Sequence, residues 1–300
     1  MKVERAVVGI DFSSPSVDAA SWVGRYFAPG AELVLVHVIS IPEPPPIVRS
    51  RFARRDLLIG TVREGAEKRL REISISLSAD RVWLEVREGE PVECIVALAE
   101  DFSAELVVAG AHGERAGLLE GLGSTADHLV RASTRPVLLV THPRLTTPRH
   151  ILVPLNKPEH ASGALSWASV LSQRFGARVT AMHVVTGGVA SGALAALAVV
   201  SGTAPVDVST PLAVAEGSDR WLEGAVAAGV PREQASSEVI PGDPTTEILA
   251  AAKRLDTDLI VMGRRGTGNL RRAVLGSVVE GVLRSAPCPV LVVPEPSAKS

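Results

Sequence analysis

Two short runs of glycine and serine are the residues best suited to chemistry in this chain. Gly110, Gly113, Gly123 and Ser124 stand in the spacing Gly-x-x-Gly-x9-Gly-Ser, and Gly263, Gly266, Gly276 and Ser277 repeat it without a change of length. Each run follows a short apolar stretch, Leu106 to Ala109 or Leu259 to Met262, and precedes a helical pattern. A strand ending this way enters a tight turn where glycine can take a positive φ and let backbone amides approach a ligand closely. The Gly-Ser pair then opens a helix predicted over Ser124 to Ala132 or Ser277 to Ser285. Its N-terminus offers unpaired amides, the positive end of the helix dipole and a hydroxyl. That set of donors suits an anion such as a phosphate chain. The same residues also suit plain turns and helix caps, which duplication copies as faithfully as it copies sites.

The chain lacks Gly-x4-Gly-Lys-Ser/Thr, so it has no motif lysine for terminal phosphates and no evident magnesium clamp of the usual nucleotide hydrolase. Binding is therefore better supported than turnover. Asp11, His112 and Asp243 are the acid, base or metal-ligand candidates, and none forms a recognisable pair. Arg264, Arg265, Arg271 and Arg272 crowd the second loop, where the first has Ala111, His112, Glu114, Arg115 and Glu120. Arginine there can form charge-assisted bonds to phosphate or stand as a solvated surface. His37 and His183 lie inside apolar runs and read as hydrogen-bonded structural residues.

The elements that position these loops come from a chain written twice. Ala6 to Asp11 is echoed by Ile151 to Asn156 at an offset of 145, and Leu106 to Gly110 by Leu259 to Gly263 at an offset of 153. The drift of eight residues places an insertion between Thr186 and Glu216. Each copy alternates runs rich in Val, Ile and Leu with longer helical patterns, the signature of β-α-β units and a parallel sheet buried on both faces. Strands are predicted near Ala6 to Ile10, Leu33 to Ile39, Val82 to Val86, Leu106 to Ala109 and Pro136 to Val140. Ser14-Pro15, Lys157-Pro158, Pro91 and Pro244 mark helix starts, with proline at the first helical position. Trp22 and Trp167 fall on apolar helix stripes and read as core.

The expected fold class is thus α/β, as two tandem doubly wound open parallel five-stranded sheets, Rossmann-like and related by a pseudo-two-fold. The domains are 1–143 and 148–300, joined through the Pro-containing stretch Thr141 to Pro148. With 31 Lys and Arg against 33 Asp and Glu, the net charge of -2 supplies no basic field for nucleic acid or anionic lipid. Cys94 and Cys288 build neither a disulfide framework nor a zinc site, and the apolar run Ala6 to Ile10 is too short for a signal-peptide core. A cytoplasmic protein is expected. Val179 to Val206 carries no charge but is broken by glycine and serine, so a strand and a loop are expected there rather than a membrane span.

At these residues the sequence resembles the universal stress protein family in its tandem two-domain form. The resemblance rests on Asp11 at the end of strand one, His37-Val38 and His183-Val184 on strand two, both Gly-rich loops, and the closing runs Pro136 to Val140 and Cys288 to Val293. It implies ATP as ligand, with or without Mg2+, in a stress-response or regulatory protein. It implies that Asp11 and backbone around Val38 hold adenine and ribose, and that Gly110, Gly113, Gly123 and Ser124 hold phosphates. In the second half the corresponding set is Asn156, Val184, Gly263, Gly266, Gly276 and Ser277, with Asn156 a departure that keeps an amide and loses the carboxylate. The expected partners are an adenine nucleotide, the other half of the chain as a pseudo-dimer, and a second copy as a homo-dimer. The rival readings are a nucleotide-free scaffold acting through dimerisation and a slow ATPase.

Overall fold

The computed structural model describes residues 3–40, 55–77, 81–113, 122–141, 143–144, 146–156, 161–186, 222–224, 226, 230–264 and 275–294. The chain divides into two compact units, Lys2–Thr147 and Pro148–Ser300. The region expected to hold the insertion, the Lys157-Pro158 helix start, Glu114, Arg115, Glu120, Arg265, Gly266, Arg271 and Arg272 lie outside the described residues.

The first unit runs β1 (Arg5–Gly9), α1 (Ser14–Trp22), β2 (Glu32–Ile39), α2 (Arg55–Ser76), β3 (Arg81–Glu88), α3 (Pro91–Asp101), β4 (Leu106–Gly110), α4 (Ser124–Ala132) and β5 (Val137–Val140). Its strands lie in the order β3-β2-β1-β4-β5, and every pairing is parallel. This is a doubly wound sheet whose order reverses between β1 and β4, the position where such sheets open a crevice at their carboxyl ends. The second unit runs β6 (His150–Pro154), α5 (Ala161–Phe175), β7 (Arg178–Val185), β8 (Ala235–Pro241), α6 (Pro244–Arg254), β9 (Leu259–Gly263), α7 (Ser277–Ser285) and β10 (Val290–Val293). The same parallel order recurs as β8-β7-β6-β9-β10.

The central strands carry the core because both of their faces are covered by helices. Ala6, Val7 and Val8, and Ile151, Leu152 and Val153, are fully buried. Trp22 and Trp167 are core residues as expected, and Trp22 also donates its indole N–H to the Thr146 carbonyl at 3.2 Å. β3 is longer than the apolar run predicts, since all eight of its residues pair with β2. Charged residues hide those ends: Arg81 makes an ion pair with Glu32 across the strands at 2.8 Å.

Helix caps follow the prolines with one correction. Pro91 and Pro244 stand in the first turns of α3 and α6, behind Glu90 and Asp243, whose side chains accept from the amides of Glu93 and Thr246. In α1 the cap is Ser13, so Pro15 follows Ser14 rather than occupying the first helical position. Ser13 wins because its side chain reaches the Ser16 amide, as a capping hydroxyl must.

Carboxylates fasten the amino end of each sheet, a repeat feature that periodicity does not reveal. Glu105 accepts from the amides of Glu4 and Arg5 at 3.1 and 2.7 Å, and Asp258 from those of Arg149 and His150 at 2.9 and 3.0 Å. No helix among the described residues is long and apolar enough to cross a membrane.

Candidate functional site

A cavity of about 540 Å³ opens in the first unit at the carboxyl end of its sheet, within the size range of small-molecule sites. Gly9, Ile10 and Asp11 line it from the end of β1, Val36, His37 and Val38 from β2, and Ala109 and Gly110 from β4. The turn after β4 adds His112 and Gly113, and the start of α4 adds Gly123, Ser124, Thr125 and Ala126. Pro91, Ile95, Leu122 and Leu129 complete the apolar part. All six residues expected to hold a ligand in this half, Asp11, Val38, Gly110, Gly113, Gly123 and Ser124, therefore meet at one cavity.

The glycines act here through close approach rather than through φ. None of Gly110, Gly113 and Gly123 has a left-handed φ, which corrects the turn chemistry expected of them. A Cβ at Gly110 would lie 3.0 Å from the Ser16 amide nitrogen and 3.1 Å from the Pro15 carbonyl carbon, so the strand end and the start of α1 could not approach as they do. At Gly113 it would lie 3.1 Å from the Asp11 carboxylate, and at Gly123 3.3 Å from the Ala111 carbonyl oxygen. Both contacts are tighter than packed side chains ordinarily allow.

The donors expected at α4 are in place. Gly123 is the N-cap with no side-chain capping bond, and Ser124 is the first helical residue, so the serine hydroxyl is not consumed as a cap. The Gly123 amide donates to the Ala111 carbonyl at 2.9 Å and the Asp127 amide to the Gly123 carbonyl at 2.9 Å. Between them, the amides of Ser124, Thr125 and Ala126 have no intrahelical acceptor and lie on residues that line the cavity. Asp127, which would oppose an anion in this first turn, is neutralised by Arg131 through bonds of 2.8 and 3.0 Å.

Asp11 sits opposite, exposed, with one carboxylate oxygen accepting from the Ser13 amide at 3.0 Å and from the Ser13 hydroxyl. Its other oxygen is the one nearest Gly113. His37 donates through Nδ1 to the Ile10 carbonyl at 2.8 Å, so it is both a hydrogen-bonded strand residue, as expected, and part of the cavity wall. Asp243 is no acid or base of this site: it caps α6, accepting from the Thr246 amide at 2.9 Å and hydroxyl at 2.8 Å. Those bonds to the charged form hold its carboxyl below the usual range. Among the described residues no group of three or more His, Cys, Asp and Glu could hold a metal ion.

The second unit repeats the scaffold. Gly276 caps α7 without a side-chain bond, Ser277 opens it, and the Gly276 amide points to the Arg264 carbonyl at 3.4 Å. Asn156 lies exposed two residues past β6, as Asp11 does past β1, and Val184 and Gly263 are half-buried like Val38 and Gly110. His183 donates to the Leu155 carbonyl at 2.9 Å, mirroring His37. Sequence reasoning missed the residues that differ between the halves within the wall itself. Gly9, Val36 and Ala109 correspond to Pro154, Met182 and Met262, a difference visible in the aligned repeats once the wall positions are known.

Comparison with known proteins agrees with this architecture. A universal stress protein of Mycobacterium tuberculosis is 28% identical over 310 residues, covering 97% of this chain and 97% of that protein. One from Methanocaldococcus jannaschii is 48% identical over 60 residues, a match spanning 20% of this chain and 35% of the relative, and one from Thermus aquaticus is 49% identical over 65 residues, spanning 22% of this chain and 46% of the relative. The crystal structure of a universal stress protein from Archaeoglobus fulgidus superposes with a TM-score of 0.65 at 22% identity, covering 99% of this chain and all of that one, a likeness of fold. The family model described as the universal stress protein family matches residues 2–141 and again 147–294. The chain accordingly belongs to the universal stress protein family, with two copies of the family's domain in tandem.

Proposed function

We propose that this is an ATP-binding stress-response protein whose stronger site is the cavity of the first half. The observation that carries the reading is the convergence, on one cavity, of a carboxylate at the nucleoside end and free helix amides at the phosphate end. Asp11 and the backbone around Val38 would take ribose and adenine. The Gly110 to Gly113 turn, Gly123 and the hydroxyl and amide of Ser124 would take the phosphates, favoured by the dipole of α4. Mg2+, where present, would arrive on the phosphates, since Asp11 is the single carboxylate among the described residues that line the cavity. ATP is preferred over a dinucleotide because the Gly-rich turn follows the fourth strand of its unit rather than the first.

Mass spectrometry of small molecules released from the denatured protein, followed by calorimetry with ATP, AMP and NAD, tests this. Bound adenine nucleotide and a preference for ATP are expected. Protein free of nucleotide, with no ATP-dependent melting shift, would move the reading to the nucleotide-free scaffold; equal or tighter NAD binding would overturn the choice of ligand.

A further inference from the structure

The strained residue at the cavity is an aromatic one. Phe12 has φ 66°, a left-handed conformation that glycine takes freely and that is an outlier for a bulky side chain. It does not line the cavity, but its neighbours do: Asp11 precedes it, and the His37 ring lies against it with centroids 4.4 Å apart and planes 35° apart. On α2, Arg69 places its guanidinium carbon 4.2 Å from the Phe12 ring centroid, at cation–π distance. Arginine, phenylalanine and histidine thus form one stack across three elements: α2, the β1–α1 turn and β2.

The left-handed turn at Phe12 is what brings the Asp11 carboxylate back onto the Ser13 amide and hydroxyl. The ring meanwhile holds His37, whose Nδ1–H is fixed on the Ile10 carbonyl at the end of β1. A neutral imidazole bonded this way keeps its Nε2 lone pair, and among the described residues that nitrogen has no hydrogen-bond partner. One side chain therefore ties the aim of Asp11 to the orientation of His37 on the neighbouring strand. The repeat has Lys157 at this position, so the second half cannot build the same stack. Glycine would relieve the backbone here but would remove the ring from the stack.

We propose that Phe12, backed by Arg69, is a positioning residue for the nucleoside end of the first-half cavity, holding Asp11 and His37 in register before a ligand arrives. This rests on the nucleotide reading above. It makes a claim that reading does not: the stack acts on the nucleoside and leaves the phosphate contacts alone. Preorganisation of this kind appears as affinity, because the ligand no longer has to order the wall.

The test compares ATP with adenosine on the full chain. Phe12→Gly should weaken both by the same factor, about tenfold, equivalent to ~1.4 kcal/mol, while the ligand-free protein still unfolds cooperatively, relief of the left-handed strain offsetting part of the lost ring contacts and of the added unfolded-chain entropy. Phe12→Tyr should bind as wild type. Wild-type affinity in Phe12→Gly, or a loss confined to ATP, would overturn the proposal. If Phe12→Gly does not fold, Arg69→Ala keeps the phenylalanine in place while removing the guanidinium from its ring and from the Phe12 carbonyl, which it meets at 3.5 Å, and should weaken both ligands equally, with Arg69→Lys restoring most of the loss; unchanged affinity in Arg69→Ala would overturn it. If wild-type protein binds neither ligand, the nucleotide reading falls separately, and the stack is judged by the imidazole 15N spectrum of the ligand-free protein. A single Nδ1–H form of His37 in wild type that averages between tautomers in Phe12→Gly supports the clamp; identical spectra overturn it.

Discussion

The two halves share strand order, helix caps and Gly-Ser spacing, yet they differ where their sheets reverse order. In the first half Gly9 ends β1, and the β1–β4 ladder runs through three residue pairs to Val8 and Val108. In the second half Pro154 ends β6, and the β6–β9 ladder stops after two pairs, at Leu152 and Ile260. Backbone geometry accounts for the difference. Successive amides of a strand point to opposite neighbours, and Leu155 donates to Met182 in β7, so the nitrogen of Pro154 faces β9 with no hydrogen to give. Met182 and Met262, both buried, add further bulk where the first half has Val36 and Ala109. Duplication has kept the scaffold and changed the side chains at these wall positions.

The sharpest way to break that contrast is a charge in the first turn. A Cβ at Gly113 already crowds Asp11, and Gly113→Glu sets a second carboxylate against it and against any phosphate. With the first half as the stronger site, this substitution should lower ATP affinity by at least ~100-fold, about 2.7 kcal/mol. Gly266→Glu, at the matching position of the second loop, should leave most of the binding. Calorimetry on both proteins, with unfolding curves as the control, decides the matter. Full loss from Gly266→Glu and none from Gly113→Glu would reverse the assignment of the stronger half.

Transferring wall volume between the halves comes next in size. Ala109→Met fills the first cavity with the residue the second half carries. Overpacking of about 1–3 kcal/mol against a bound ligand should cut affinity roughly 5- to 160-fold. Ligand-free stability should not fall, because the methionine enters open space. The reverse change, Met262→Ala, should make room in the second half at about 2–5 kcal/mol of stability, the usual range for emptying a buried methionine site. An Ala109→Met protein that binds as wild type would show that wall volume is not what separates the halves.

A smaller effect isolates the carboxylate. Asp11→Asn can keep an oxygen on the Ser13 amide and hydroxyl and loses only the charge beside Gly113. A difference of about 0.5–1.5 kcal/mol is expected, roughly two- to tenfold in ATP affinity. Asn156→Asp should move second-half binding the other way by less, because Pro154 and the methionines remain. Equal affinity in Asp11→Asn and wild type would make Asn156 a neutral departure.

Much of this architecture is legible in the sequence. The repeat, the parallel strands and the start of each last helix follow from apolar runs and glycine spacing, and the helices at Ser124 and Ser277 begin where the spacing places them. The function of the glycines was only half legible: their types indicate close approach, but which atoms approach depends on α1 packing against β4, a tertiary fact. Phe12 was silent because nothing in Asp-Phe-Ser announces a left-handed φ, and its partner Arg69 comes from a distant helix. The capping role of Asp243 was obscured by its looking like an acid, although Asp-Pro before a helical run is also the pattern of a capped start.

That cap supplies the smallest expected difference, and it concerns stability. Asp243 accepts from the Thr246 amide and hydroxyl at the start of α6, and these bonds hold its carboxyl below the ordinary carboxylate range. A carboxyl with a depressed folded value binds protons more readily in the unfolded chain, so its contribution is fully present above the unfolded value and is lost as pH falls through the folded one. Asp243→Asn keeps an acceptor for the Thr246 amide but cannot titrate. Urea midpoints measured between neutral pH and the lower end of the carboxylate range should fall less steeply in Asp243→Asn than in wild type. The group is on the surface, so the difference should be slight and should shrink further in high salt. Parallel acid limbs for the two proteins would mean that the charge on Asp243 adds nothing beyond the neutral cap, and that α3 and α6 begin on equal terms despite the change from Glu90 to Asp243.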